Sequence, residues 1–156
     1  MAIKGGRKMS TNIQLATLGN IHDVVPMVLE LWPHHSYEEL EAEFTEILNS
    51  EKDGVLLYKA DDIFVGFNYV AIRQDYVEGS SSSPTGFIEG IFVKKDYRNK
   101  GIAKALARSG EQWAKAKGCT QMGSDVEFRN NSSYEFHKKI GYKEVNRIIC
   151  FLRDID

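Results

Sequence analysis

Apolar positions along this chain switch between a spacing of about two and a spacing of about 3.6, and the switches mark the elements. Asn12 to Thr17 alternates polar and apolar residues and predicts a first strand. From Asn20 to Trp32, the residues Ile21, Val24, Val25, Val28, Leu29 and Trp32 recur at helical spacing. Pro26 lies inside that run, as a kink or as a sign that the helix begins later. Ser36 followed by Glu39 reads as a capping box. The helix it opens has Leu40, Phe44, Ile47 and Leu48 on one face, and Glu38, Glu39, Glu41, Glu43 and Glu46 on the other.

Gly54 to Lys59 and Ile63 to Arg73 predict two strands joined by a short turn at Asp61-Asp62. A Ser-rich loop, Gly79 to Pro84, leads to the apolar run Phe87 to Val93, which Glu89 and Gly90 interrupt. Ile102 to Lys117 is a helix ended by Gly118. Cys119 to Ser124 is a strand, Asn131 to Ile140 a helix closed by Gly141, and Tyr142 to Leu152 one or two final strands. The order β-α-α-β-β-β-α-β-α-β-β is not the strict alternation of a doubly wound fold. It predicts a mixed α/β (α+β) sheet with helices on its faces.

Composition narrows the class. With 156 residues, 42% of them hydrophobic, the chain is sized for one domain with a real core. Residues 11–156 are read as that domain and residues 1–10, basic and glycine-containing, as a lead-in. A net charge of -2 gives no basic footprint for nucleic acid. No apolar run reaches the roughly 18 residues of a membrane span, and no secretory h-region is evident. A cytoplasmic location is the default expectation. Cys119 and Cys150 sit in apolar, strand-like runs and read as small core hydrophobes. His34 and His35 are adjacent, poor geometry for shared ligation, so no metal is expected.

The chemistry gathers after the strand ending at Val93. Lys94, Lys95 and Arg98 follow, then Lys100, Gly101 and a long helix. A helix N-terminus offers unpaired N–H groups and the positive end of its dipole. Gly101 lets backbone approach a ligand, Ala103 is small, and Arg98, Lys100 and Lys104 add positive charge. The sum suits a diphosphate; a solvated basic turn is the plain alternative. The loop has neither the Gly-Lys-Ser/Thr of a Walker A motif nor the Gly-x-Gly-x-x-Gly of a dinucleotide fold.

Arg98-x-x-Gly101-x-Ala103, set between Ile91-Phe92-Val93 and that helix, resembles the acetyl-CoA signature Gln/Arg-x-x-Gly-x-Gly/Ala of the GNAT N-acetyltransferase superfamily. Asn130 to Tyr142 is similar to the superfamily's last helix, which ends in Gly-Phe or Gly-Tyr. A narrower likeness is to its aminoglycoside 6'-N-acetyltransferases. It is carried by Leu31-Trp32, Tyr76-Val77-Glu78-Gly79, Ser83-Pro84-x-Gly86-Phe87-Ile88-Glu89-Gly90-Ile91, Trp113-Ala114-Lys115, and Ser124-Asp125 with Asn130.

The resemblance implies a GNAT-like, mostly antiparallel twisted sheet splayed between the fourth and fifth strands. It implies acetyl-CoA as cosubstrate, with its pantetheine arm between those strands. Ile91, Phe92 and Val93 would flank the arm, and the main chains of Ile91 and Val93 would bond it, beside a bulge at Gly90 next to Glu89. Arg98, Asn99, Lys100, Gly101, Ile102, Ala103 and Lys104 would hold the pyrophosphate. Asn130 would bond the coenzyme or cap its helix.

Trp32, His35, Tyr76, Glu89 and Asp125 would line the acceptor pocket, with Trp32 equally placed for the core and the adjacent His34 an alternative to His35. Glu89 and Asp125 are the candidates to receive the amine's proton, often through water. His137 stands where many of these enzymes place the Tyr that protonates the departing thiolate, and Tyr134 lies one turn earlier. An imidazolium at His137, the solvent or the nascent ammonium would supply that proton. The branch's further acidic position near Asn146 is unmatched, with Glu144 only a neighbour.

The implied function is direct acetyl transfer in a ternary complex to a small-molecule primary amine, an aminoglycoside 6'-amine. A homodimer is implied too, with the last strands as a possible interface. Another cationic amine as acceptor, or a non-catalytic coenzyme-binding module, are the alternatives.

Overall fold

The computed structural model describes residues 12–81 and 83–156, so the lead-in at residues 1–10 lies outside the described residues. β1 (Ile13–Leu15) is followed by α1 (Ile21–Leu31) and α2 (Tyr37–Asn49). α1 continues through Pro26 at the loss of one backbone bond, because Val24, Val25, Met27 and Val28 around it are all buried. α2 opens on the expected capping box. The Ser36 N–H donates to Glu39 Oε2 at 2.9 Å, and the Glu39 N–H donates to Ser36 Oγ at 3.2 Å.

β2 (Asp53–Ala60) and β3 (Ile63–Arg73) form a hairpin. Asp61 and Asp62 between them have φ of 51° and 61°, the left-handed pair a two-residue type I′ turn requires. β4 (Thr85–Val93), α3 (Ile102–Ala116), β5 (Met122–Ser124) and α4 (Asn131–Lys139) complete the described elements.

The sheet runs β1-β2-β3-β4-β5 in space. β1 to β4 are antiparallel neighbours, and β5 lies parallel to β4. Strand alternation sends successive residues to opposite faces. Val55 and Leu57 join α1 and α2 in one core, with Phe44 and Phe67 at its centre. Leu56, between them in sequence, joins Ile102 and Leu106 of α3 in a second core on the other face. Helices therefore cover both faces, as the order of elements implies.

Two departures from regularity shape the functional region. The β3–β4 register pairs Tyr69 with Gly90 but Val70 with Ile88, leaving Glu89 as the extra residue of a bulge. The β4–β5 ladder is short: Gly86, Phe87 and Ile88 pair with Met122, Gly123 and Ser124. From Glu89 to Val93, β4 continues without β5 beside it. That is the expected splay between the fourth and fifth strands.

The expected final strands are not formed. Tyr142 to Asp156 carries no strand, and Val145, Ile148, Ile149, Phe151, Leu152 and Ile155 are exposed. A strand needs an edge to pair with, and this stretch finds none among the described residues. Cys150 is exposed with them and is not a core residue, whereas Cys119 is buried. Burial pushes the Cys119 thiol above its usual range.

Candidate active site

The gap between β4 and β5 is lined by backbone. The Lys94 N–H donates to the Val65 carbonyl at 2.8 Å, one step outside the Gly66–Val93 pair. Antiparallel strands alternate between pairs that exchange bonds and pairs that do not. Val93 is thus a non-bonded partner of Gly66, and two residues back Ile91 is a non-bonded partner of Asn68. The N–H and C=O groups of both turn away from β3, toward the gap. Phe92, between them, is buried in the α1–α2 core.

At the far end of β4 the chain forms the basic loop. Asn99 (φ 61°) and Gly101 (φ 79°) are both left-handed, and Gly101 is the N-cap of α3 without a side-chain cap. Left-handed residues in a turn can direct neighbouring N–H groups to one side, an arrangement that suits an anion. A Cβ on Gly101 would meet nothing within 4 Å, so the space above it is open. Arg98 Nε donates to the Val93 carbonyl at 2.8 Å, which ties the guanidinium to the mouth of the gap. Lys100 sits over the Tyr97 ring, 5.5 Å from its centroid. Ile102 is buried and anchors the helix start, Ala103 is half-buried beside it, and Lys104 is exposed. Open space, free N–H groups and mobile cations fit a diphosphate.

On the α1–α2 face the bulge sets two successive residues side by side. A Cβ on Gly90 would lie 2.9 Å from Trp32 Cζ2, so the indole rests on the backbone where only glycine permits it. Trp32 is half-buried and packs on the α1–α2 core, with its ring 6.4 Å from that of Phe44.

Glu89 projects beside this spot. Arg73 Nε and Nη2 donate to Glu89 Oε1 at 2.9 and 2.8 Å, and Nη2 also reaches Oε2 at 2.9 Å. The guanidinium lies 3.5 Å from the centroid of the Phe87 ring. Sequence reasoning missed Arg73. The signal that could have found it is a charged residue ending a long apolar strand; its register partner is Thr85, and it reaches Glu89 along the same face.

The surroundings are acidic. Burial, then Asp53, then Glu89 and Glu43 hold the Tyr69 phenol far above its usual range, and Tyr69 donates to Asp53 Oδ1 at 3.0 Å. Tyr76 is 79% exposed and donates to Glu78 at 3.0 Å. It shares a cavity of about 410 Å³ with Arg73 and Asp75. His35 is exposed, 4.0 Å from Glu39. Asp125 follows Ser124 at the last rung of the β4–β5 ladder, as Glu89 follows Ile88. It is exposed and has no hydrogen-bond partner among the described residues.

On the α3 face, Asn130 caps α4, its Oδ1 accepting from the Ser133 N–H at 3.1 Å. His137 bonds Ser124 and Ser133. Tyr134 donates to Glu144 at 2.6 Å. Asn146 donates to Glu78 at 2.6 Å, which lays the C-terminal stretch against the Tyr76 loop. No group of three or more potential metal ligands occurs among the described residues, and no helix there is long and apolar enough to cross a membrane.

Known proteins match this arrangement. Residues 21–142 match the model of the Acetyltransferase (GNAT) family. The aminoglycoside N(6')-acetyltransferase type 1 of Salmonella typhimurium is 38% identical over 122 residues, 78% of this chain and 84% of its own. Its namesake from Acinetobacter baumannii is 32% identical over 92% of this chain and 99% of its own. Among solved structures, AAC(6')-Iy in complex with the bisubstrate analogue CoA-S-monomethyl-acetylneamine superposes with a TM-score of 0.88. It is 33% identical, over 92% of this chain and 97% of that one. With the splayed strands, the bulge and the basic loop before α3 in place, the chain belongs to the GNAT acetyltransferase family.

Proposed function

We propose that this protein transfers the acetyl group of acetyl-CoA to the 6'-amine of an aminoglycoside, by direct attack in a ternary complex in the cytoplasm. The observation that carries the reading is the β4 bulge. It turns Glu89 and Gly90 to one face, so that a carboxylate and the Trp32 ring meet beside the open gap. Asp53 and Glu43 enlarge the negative field there, which suits a polycationic sugar. Trp32 and Tyr76 offer faces for sugar rings and ammonium groups.

Acetyl-CoA supplies the activated acetyl group. The loop from Arg98 to Lys104 holds its pyrophosphate, and the inward N–H groups of Ile91 and Val93, with the Ile91 C=O, bond its arm. Glu89 binds and orients the acceptor ammonium through the one Oε2 position that Arg73 leaves free. Asp125, exposed and unpaired, takes the amine's proton through water.

Coenzyme-release assays test the acceptor. A kanamycin bearing a 6'-amine is expected to turn over, and an analogue with a 6'-hydroxyl to give no signal. Turnover of polyamines or peptides but of neither antibiotic moves the reading to another cationic amine. Coenzyme binding without turnover of any amine leaves only a binding module.

The chain acts as a homodimer in this reading. Tyr142 to Asp156 exposes a row of large apolar residues and unpaired backbone, and a second copy offers an equivalent stretch to pair with it. Light scattering is expected to give twice the chain mass. Replacing Ile149 and Phe151 by Lys is expected to give the single mass, and a dimer that survives the pair of changes rules out this interface.

A further inference from the structure

His137 does not face the gap directly. Its Nδ1 lies 2.7 Å from the Ser133 carbonyl oxygen, with Ser133 Oγ farther off at 3.4 Å. A carbonyl only accepts, so Nδ1 carries a hydrogen and donates it. The other nitrogen, Nε2, lies 2.7 Å from Ser124 Oγ. A hydroxyl both donates and accepts. The same hydrogen-bond geometry serves a neutral ring, with Ser124 donating to Nε2, or an imidazolium, with Nε2 donating to Ser124. No heavy atom has to move between the two.

The Ser124 position matters because it ends β5. Ser124 pairs with Ile88 at the last rung before β4 and β5 part. Its side chain shares the face of Met122, two residues earlier. That face belongs to α3: a Cβ on Gly86 would meet both Met122 Sδ and Ala114 of α3, at 2.6 and 2.7 Å. The Ser124 hydroxyl therefore stands at the mouth of the gap on the α3 side. Glu89 and Trp32 occupy the opposite, α1–α2 side.

We propose that Ser124 is the catalytic proton donor to the departing coenzyme sulfur and that His137 acts through it as the proton reservoir. In this step the amine nitrogen bonds the acetyl carbon and the carbon–sulfur bond breaks, its electron pair staying on sulfur. The Ser124 hydroxyl proton passes to that sulfur, and the Nε2 proton of the imidazolium passes to Ser124 Oγ. His137 is left neutral and takes a proton back from solvent. The acceptor ammonium gives up two protons on the other face, one before it attacks and one as the amide forms, and one proton arrives at sulfur, so each turnover releases one proton net. Ser133 holds the ring by its carbonyl, which fixes Nε2 on Ser124.

This step rests on the acetyltransferase reading, and its test separates the two. Ser124→Ala and His137→Gln are each expected to lower kcat by about 100-fold, the low end for a positioned general acid, with KM for both substrates little changed. Ser124→Thr, which keeps a hydroxyl, is expected to recover most of the loss. The double variant is expected to be no slower than either single one, since the two residues act as a unit.

An independent readout needs neither acceptor nor turnover. Nitrogen-15 NMR of the ligand-free protein is expected to show His137 with hydrogen on Nδ1, and Ser124→Ala to perturb only Nε2. A wild-type protein that ignores kanamycin sinks the aminoglycoside reading alone; kcat is then measured with whichever amine it takes. Ser124→Ala with kcat within twofold of wild type, or a neutral His137 carrying its hydrogen on Nε2, overturns the relay and leaves the contact as a tie between β5 and α4.

Discussion

Glu89→Gln is expected to lower kcat/KM for a 6'-amino aminoglycoside by about 100-fold, or about 2.7 kcal/mol, with no change in CoA affinity. Two effects add. The acceptor ammonium loses an ionised partner, and hydrogen bonds to charged groups contribute about 1.5–3 kcal/mol. Arg73 also loses its counter-charge and leaves a cation facing a cationic substrate, held in place by the Phe87 ring 3.5 Å away. Arg73→Met separates these effects. It frees Glu89 without removing the charge, so activity is expected to fall less than in Glu89→Gln. The Glu89→Gln, Arg73→Met double variant relieves the unpaired cation but does not restore the anion. Joining Asp125→Asn to Glu89→Gln is expected to abolish transfer while calorimetry still shows full coenzyme binding. Substantial turnover in that variant refutes the assignment of both carboxylates to the acceptor side.

How much of this was legible in the sequence follows from the range of each interaction. The Ser36–Glu39 box, the Asp61-Asp62 turn and the glycines ending α3 and α4 are contacts within one turn of chain, and each lies where the pattern placed it. The bulge was legible because a charge and a glycine break an apolar run at one point. The Arg73–Glu89 pair was not. Its partners are 16 residues apart and meet only through the β3–β4 register, which the bulge itself shifts.

Ser124 and His137 are separated by a loop and most of α4. A serine ending a strand and a histidine in a helix give no sign in sequence that they share a hydrogen bond. The final strands failed for another reason. Residues 142–152 carry β-rich composition, and composition states a preference for pairing without naming a partner. Cys150 followed the same error, placed in a core because its neighbours are apolar, while that stretch is exposed.

Gly101 tests whether the loop binds coenzyme by its shape or by the room it leaves. Its φ of 79° is left-handed, yet a Cβ there would touch nothing within 4 Å. Within the protein, then, the glycine serves backbone conformation and not clearance. Asn visits the left-handed region with little penalty, whereas other residues lose about 1–2 kcal/mol there and β-branched ones more. Gly101→Asn is therefore expected to weaken CoA binding only about twofold, and Gly101→Val by about 10-fold or more, as the N–H groups of the loop turn away from the diphosphate. Equal losses in the two variants, measured by calorimetry, reassign the glycine to close approach by the ligand itself.

Arg98 divides in the same way. Arg98→Lys keeps the charge but gives up the Nε bond to the Val93 carbonyl. A loss close to that of Arg98→Ala is expected, because a lysine in that place has no second nitrogen to hold the loop end against β4. Raising the salt concentration weakens whatever attraction remains in Arg98→Lys, since exposed charges are screened within about 10 Å at 0.1 M. If Arg98→Lys binds CoA like the wild type, the arginine contributes charge alone, and the alignment of loop and gap depends on Gly101 and the start of α3.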